Sequence, residues 1–138
     1  ENIDEYYRNF NRINLRNTIL QNIRKVKYNT IENPLNDSCA ITQEDFHNDD
    51  DVGLVTHCGH VFKYDALLSW LIRHQTCPNC RYNIMSDSRL IRYINQSDEC
   101  LFLTSDQFRV IISNNIVNNL LNSTDSNNSR VFTMRFNR

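Results

Sequence analysis

The sequence predicts an α+β chain: a small metal-stapled ββα module between an N-terminal long helix and a C-terminal strand-helix-strand extension. Three observations predict it. Cys58-Gly59-His60 and Cys77-Pro78-Asn79-Cys80 supply four soft ligands from two short segments, and that donor set closes a tetrahedral zinc site. Short β-prone runs around the first pair lead into a stretch with helical apolar spacing. Both flanks carry long helical periodicities that no Gly or Pro interrupts.

The elements follow in order. Over residues 2–27, Ile3, Tyr6, Tyr7, Phe10, Ile13, Leu20 and Ile23 recur at helical spacing, with a second strip through Leu15, Ile19, Ile23 and Val26. One long helix is expected, its apolar surface wide enough both to pack on its own module and to dock on a partner. Asn33-Pro34 ends this arm, which spans 1–34, and Asn36-Asp37-Ser38 forms a turn into Cys39. The compact module spans 38–85. Val52, Leu54 and Val55 read as a strand, with Val61-Phe62 as its partner. Asp49-Asp50-Asp51, whose adjacent carboxylates diverge, reads as a solvated turn rather than a cation site. A helix capped by Asp65 runs through Leu67, Trp70 and Ile72.

The extension spans 86–138. Leu90–Ile94 and Leu101–Leu103 read as short strands, and Thr104-Ser105-Asp106-Gln107 opens a helix as a capping box. That helix has an apolar stripe through Phe108, Ile111, Ile112, Ile116, Leu120 and Leu121. The polar, low-complexity segment 123–130 has the composition of a disordered stretch, one that a neighbour immobilises if it is ordered. Phe132, Met134 and Phe136 then alternate as in an amphipathic strand.

Composition narrows the function classes. Fifteen basic against 16 acidic residues, spread along the 138 positions, give no electrostatic footprint for nucleic acid. No apolar run is long enough to span a bilayer and no signal-peptide layout is present, so an intracellular, cytoplasmic or nuclear protein without membrane contact is expected. Five cysteines, four of them in knuckle-like contexts, fit metal in a reducing compartment better than disulfides. Twenty-one Asn against two Gly and two Pro suggest AT-rich coding, as in a protist or a large DNA virus. Glu1 in place of Met fits a fragment or a processed product.

Cys39-Ala40-Ile41-Thr42, Cys58-Gly59-His60-Val61-Phe62, Trp70-Leu71 and Cys77-Pro78-Asn79-Cys80-Arg81 together resemble the RING finger family. The resemblance covers about a third of the chain, residues 38–85, and implies a RING-like module with two interleaved zinc sites. One site is complete in Cys58, His60, Cys77 and Cys80. The other would need Cys39, Thr42, Lys63 and Ala66, of which only Cys39 is a usable ligand. The expectation is one structural zinc, with Lys63 turned toward Glu44, Asp45 or Asp65 as zinc-free U-box domains are implied to do. His47, His57 and His74 are left outside the metal site.

The resemblance further implies a scaffold that recruits a charged ubiquitin-conjugating enzyme and promotes ubiquitin transfer to a protein substrate. Its recruiting surface falls on Ile41, Trp70 and Pro78, and Arg81 is the catalytic cation that bridges conjugating enzyme and ubiquitin. Core packing is the bland alternative for Ile41 and Trp70, and simple burial for Cys100. The chain is also similar to the SP-RING domains of SUMO ligases, which keep only the second metal. A reading of another class is a zinc-stapled structural subunit whose two arms bind neighbours in a large assembly, such as a viral particle.

Overall fold

The computed structural model describes residues 3–121 and 133–136. In chain order the elements are α1 (Ile3–Asn22), β1 (Ile23–Lys27), a 3-10 turn (Tyr28–Thr30), β2 (Asp51–Val55), β3 (Val61–Lys63) and α2 (Tyr64–Arg73), then β4 (Ile91–Ile94), β5 (Cys100–Leu103), α3 (Ser105–Leu121) and β6 (Thr133–Phe136). They form an α+β fold of two compact units, Leu15–Ser86 and, separately, Glu1–Asn14 with Asp87–Arg138.

In the unit Leu15–Ser86 a three-stranded antiparallel sheet has the order β1-β2-β3. Phe62, Leu67 and Leu71 are fully buried beneath it, each worth roughly 1.5–3 kcal/mol of apolar transfer. Gly53 lets α2 approach the sheet closely, since a Cβ there would lie 2.7 Å from Leu67 Cδ2.

The long helix expected over 2–27 stops at Asn22, and residues 23–27 are a strand. Local propensity favours helix for Arg24, Lys25 and Lys27, but the open edge of β2 accepts five paired residues, Ile23↔Val55 through Lys27↔Asp51. Asn22 fixes the changeover. Its Nδ2 donates to Thr18 O (2.8 Å), while its own carbonyl accepts from the Thr56 N–H (3.0 Å) instead of a further helical turn.

Asp65 is likewise not the cap of α2. The helix starts one residue earlier, at Tyr64, with Lys63 at the cap position and no side-chain capping bond, because β3 runs directly into it. Asp65 lies in the first turn, where its charge still complements the helix dipole.

In the other unit the sheet order is β5-β4-β6, with both neighbours antiparallel to β4. Its core is Tyr7, Tyr93, Leu101, Leu103 and Ile111, with Phe10 and Phe108 packed against it. β5 is an edge strand, and two Asn side chains from α1 cover the outward backbone of Phe102: Asn11 Oδ1 accepts its N–H (2.7 Å) and Asn14 Nδ2 donates to its carbonyl (2.9 Å). An edge covered in this way is not a template for further strands. Some of the Asn richness therefore has a structural role beyond coding bias.

The capping box at α3 is formed as expected, with Gln107 N donating to Thr104 Oγ1 (3.2 Å) and Thr104 N to Gln107 Oε1 (2.9 Å). The apolar stripe is only half used. Ile111 is buried, whereas Ile116, Leu120 and Leu121 are 54%, 70% and 77% exposed. Strands of four residues, about 13 Å, cannot cover a helix of 17 residues, about 25 Å. The expected C-terminal strand is present as β6, while the polar segment 123–130 and Phe132 lie outside the described residues.

Candidate metal centre and recruiting surface

Cys58 and His60 sit in the turn between β2 and β3, and Cys77 and Cys80 in the knuckle that follows α2. Their ligand atoms all lie within 4.8 Å of one another. Cys58 Sγ is 3.7 Å from Cys77 Sγ, and Cys77 Sγ is 3.7 Å from His60 Nδ1. A zinc ion at about 2.3 Å from each sulfur separates neighbouring sulfurs by about 3.8 Å, so the residues fit a single tetrahedral ion. His57 is outside the cluster, stacked on Tyr82 with centroids 3.7 Å apart.

The electrostatics also fit a cation. Burial, reinforced by the neighbouring Cys80 and Cys77 sulfurs, pushes the Cys58 thiol up to about 12. Burial opposes ionisation of Cys80 too, yet the Tyr82 N–H and the thiols of Cys58 and Cys77 bring it below the ordinary value. Three sulfurs in one cluster repel as thiolates unless a divalent ion sits among them. Four protein ligands would complete the shell of zinc, the metal that a RING domain implies, and leave no open position for a catalytic water.

The ligand segments owe their shape to the backbone. In one knuckle Arg81 N donates to Cys77 O (2.8 Å) and Cys77 N to Tyr82 O (2.8 Å). In the turn that carries Cys58, Gly59 N donates to Val55 O (2.7 Å) and Val55 N to His60 O (3.0 Å). Around Cys39 the pattern recurs, with Gln43 N to Cys39 O (2.7 Å) and Cys39 N to Glu44 O (2.8 Å). In each case the fifth residue is left-handed: Gln43 at φ 61, Gly59 at φ 80 and Arg81 at φ 65. Only the middle one is a glycine, and there a Cβ would also meet Leu35 Cδ1 at 3.1 Å.

The degenerate half is filled without metal ligands. Cys39 is 1% exposed, and its Sγ accepts from Lys63 N at 3.3 Å. Burial raises its thiol, but the Thr42 hydroxyl and N–H, with the N–H groups of Lys63 and Ile41, outweigh burial and lower it overall. The partner of Lys63 is Asp50, at Nζ–Oδ2 2.6 Å, and not Glu44, Asp45 or Asp65. The acidic run is thus more than a solvated turn: Asp50 also accepts from His47 N (2.7 Å), and Asp51 pairs with Lys27 (2.9 Å). Antiparallel pairing explains the choice, because Val52 stands opposite Lys63. Asn36, read from the sequence only as part of a turn, does more than that. Its side chain bonds Val61 at both backbone groups, Nδ2 to O at 2.7 Å and N to Oδ1 at 3.0 Å, so the loop before Cys39 is held against β3.

The remaining expected positions are placed as follows. Ile41, Trp70 and Pro78 are all half-buried, and Arg81 and Cys80 are exposed. Trp70 Nε1 donates to Thr76 O (2.8 Å), tying α2 to the start of the Cys77–Cys80 knuckle and orienting the indole. Cys100 is half-exposed rather than buried, with Arg92 Nε 3.0 Å from its sulfur. No helix among the described residues is long and apolar enough to cross a membrane.

Comparison with known proteins agrees with this geometry. Residues 37–81 match the family described as Ring finger domain. Among similar proteins, "RING-H2 finger protein ATL57" of Arabidopsis thaliana is 38% identical over 65 residues, covering 46% of this chain and 27% of the relative. "NEP1-interacting protein 2" of the same plant is 38% identical over 56 residues, 41% of this chain and 23% of the relative. "E3 ubiquitin-protein ligase RING1-like", also from Arabidopsis thaliana, is 36% identical over 63 residues, 46% of this chain and 19% of the relative. The chain thus spans at most about a quarter of the length of these relatives, and such matches lend no support to a protist or viral source. Ligand geometry, paired knuckles and family match coincide on one segment: residues 37–81 carry a RING finger domain.

Proposed function

We propose that the module recruits a thioester-charged ubiquitin-conjugating enzyme and promotes ubiquitin transfer to a protein substrate, holding one structural zinc at Cys58, His60, Cys77 and Cys80. Support comes from half-buried Ile41, Trp70 and Pro78, together with an exposed Arg81 that directly follows the last ligand. Half-buried apolar side chains on a helix and on two hydrogen-bonded knuckles give a partner a fixed apolar contact at little entropic cost. The observation that carries the reading is Arg81 itself. Its left-handed backbone, φ 65, costs a non-glycine residue roughly 1–3 kcal/mol, and its guanidinium makes no hydrogen bond among the described residues. An exposed cation directly after the last ligand is thereby open to acceptors on a partner. Its five donors can bridge two carbonyls and hold a thioester in one reactive pose.

The mechanism needs no covalent intermediate on this chain. The conjugating enzyme carries the thioester, the substrate lysine attacks it, and this module restricts the thioester to reactive geometries. The test is ubiquitin discharge from a panel of conjugating enzymes. Arg81→Gly removes the guanidinium and relaxes the backbone, and should lower discharge at least about tenfold with zinc content and melting temperature preserved. Ile41→Ala should weaken recruitment. Zinc-loaded, folded protein that discharges none of the enzymes would sink the reading in favour of a structural subunit, and discharge of SUMO alone would favour the SP-RING alternative.

A further inference from the structure

A cleft of about 150 Å³ opens within the unit formed by Glu1–Asn14 and Asp87–Arg138. Its floor is apolar, lined by the buried side chains of Tyr7, Tyr93, Leu101 and Ile111. Its rim is polar, with Asp4 and Gln96 exposed and Asn95, Asn114 and Asn115 half-buried. Hydrogen bonds that need no ligand hold the walls. Asn95 Oδ1 accepts from the N–H groups of Ser97 and Glu99, both at 2.9 Å, and Arg8 ties that hairpin to α1 through Glu99 at 2.8 Å. Asn114 Nδ2 donates to the Tyr7 hydroxyl at 3.3 Å and so links α3 to the floor. A cleft built before its ligand arrives loses little to ordering on binding.

Three features select the ligand. The volume admits one group about the size of a benzene ring, so the floor takes a single bulky apolar side chain and is too small for a nucleotide. Among the described residues, Asp4 is the one charged side chain that lines the cleft, and Arg8, a turn further along α1, is bound to Glu99. The complementary charge is therefore a cation. Asp4 and Tyr7 are three apart on α1, which puts their Cβ atoms about 5–6 Å from one another. Charge and floor are neighbours, and the ligand must carry its cation close to its apolar group. The first residue of a polypeptide does this, because its ammonium and its side chain leave the same Cα. An internal lysine holds its charge at the far end of a four-carbon stem. The ammonium has three donors, and the carboxamide oxygens of Asn114 and Asn115 are acceptors for those that Asp4 does not take.

We infer that this cleft binds the free N-terminal residue of another polypeptide, one with a bulky apolar side chain such as Phe or Leu, its ammonium beside Asp4 and its side chain on the floor of Tyr7, Tyr93, Leu101 and Ile111. Under the ubiquitin-transfer reading the chain so held is a substrate, but the binding itself does not rest on that reading.

The probe is L-phenylalaninamide, titrated into the zinc-loaded 138-residue chain and followed by NMR at the amide signals of Gln96, Ser97, Asn114 and Asn115. Saturable shifts with a Kd of about 1 mM are expected for a ligand of this size. Acetylating the amine of the probe should weaken binding at least about tenfold, and glycinamide, which lacks the ring, should lose at least as much. Asp4→Asn should weaken phenylalaninamide about fivefold and leave the acetylated probe unaffected. Its circular dichroism should match that of the parent chain, because the side chain is exposed. No shift at these residues up to about 20 mM probe overturns the inference, as does equal binding of the acetylated probe or indifference to Asp4→Asn. Acetyl-Phe-Lys-amide binding as tightly as phenylalaninamide overturns the N-terminal assignment in favour of an internal basic segment. No conjugating enzyme enters these measurements, so their outcome is separate from that of the discharge assay.

Discussion

The two halves of the cross-brace share a backbone and differ in what fills it. Cys77–Cys80 and Cys39–Thr42 form knuckles with the same pair of hydrogen bonds and the same left-handed fifth residue, Arg81 and Gln43. One converges on three sulfurs and an imidazole. The other converges on a single sulfur held by N–H groups and a hydroxyl, with an ammonium-carboxylate pair nearby. The knuckle is therefore a property of chain geometry, and the metal is one of two ways to satisfy it. Cys39 keeps the donors a metal-bound thiolate would have, although its three partner ligands are gone.

Removing a ligand from the complete half should have the largest effect. Cys77→Ser should bring zinc from about one per chain to about none. It should also unfold 39–85, because metal binding supplies much of a small core's stability. Metal analysis and hydrogen exchange check this, and protection that survives without zinc would mean that β1 and α1 hold the module unaided.

Rebuilding the degenerate half comes next. Thr42→Cys, Lys63→His and Ala66→Cys together should raise the zinc content to about two per chain, since the knuckle is already shaped. A ratio that stays near one would show that the shared backbone pattern is not sufficient for metal. Breaking the substitute should cost less than either. Lys63→Ala leaves Asp50 without its 2.6 Å partner, so the melting temperature should fall while zinc content stays the same. Zinc lost along with Lys63 would mean the two halves are one cooperative site.

The smallest effect is expected outside the zinc module. Arg8, in bidentate contact at 2.8 Å, and then Asn95 hold Glu99 at about 2, down from an ordinary 4.5. A carboxylate lowered in the folded state contributes stability that is complete above its unfolded value and is lost as pH falls through the folded one. That contribution should fade between about pH 4.5 and 2, and Glu99→Gln should flatten thermal stability over that window. The pair is about a third exposed, 38% and 35%, and therefore weak at neutral pH. A slope unchanged by the substitution would assign the acid sensitivity to the zinc thiolates instead.

Much of this was legible in the chain because it is local. Ligand spacing, the capping box of Thr104 and Gln107, and the β2-β3-α2 order depend on residues a few positions apart, and period and spacing report such features directly. The misreadings share one cause. Residues 23–27 left the helix for the open edge of β2, Lys63 found Asp50 across a strand pair, and the distal stripe of α3 outran its short sheet.

By itself, the sequence determined which four side chains could share a metal ion, how many usable ligands each half has, and the chemical character of Ile41, Trp70, Pro78 and Arg81. The tertiary structure alone decided that β1 completes the sheet beside the ligands, that Asn11 and Asn14 cover the β5 edge, and that α1 keeps one apolar side open while burying the other. The physical reason is that donor chemistry and turn geometry are written into short segments, whereas edge pairing and burial depend on which distant backbone is left unsatisfied.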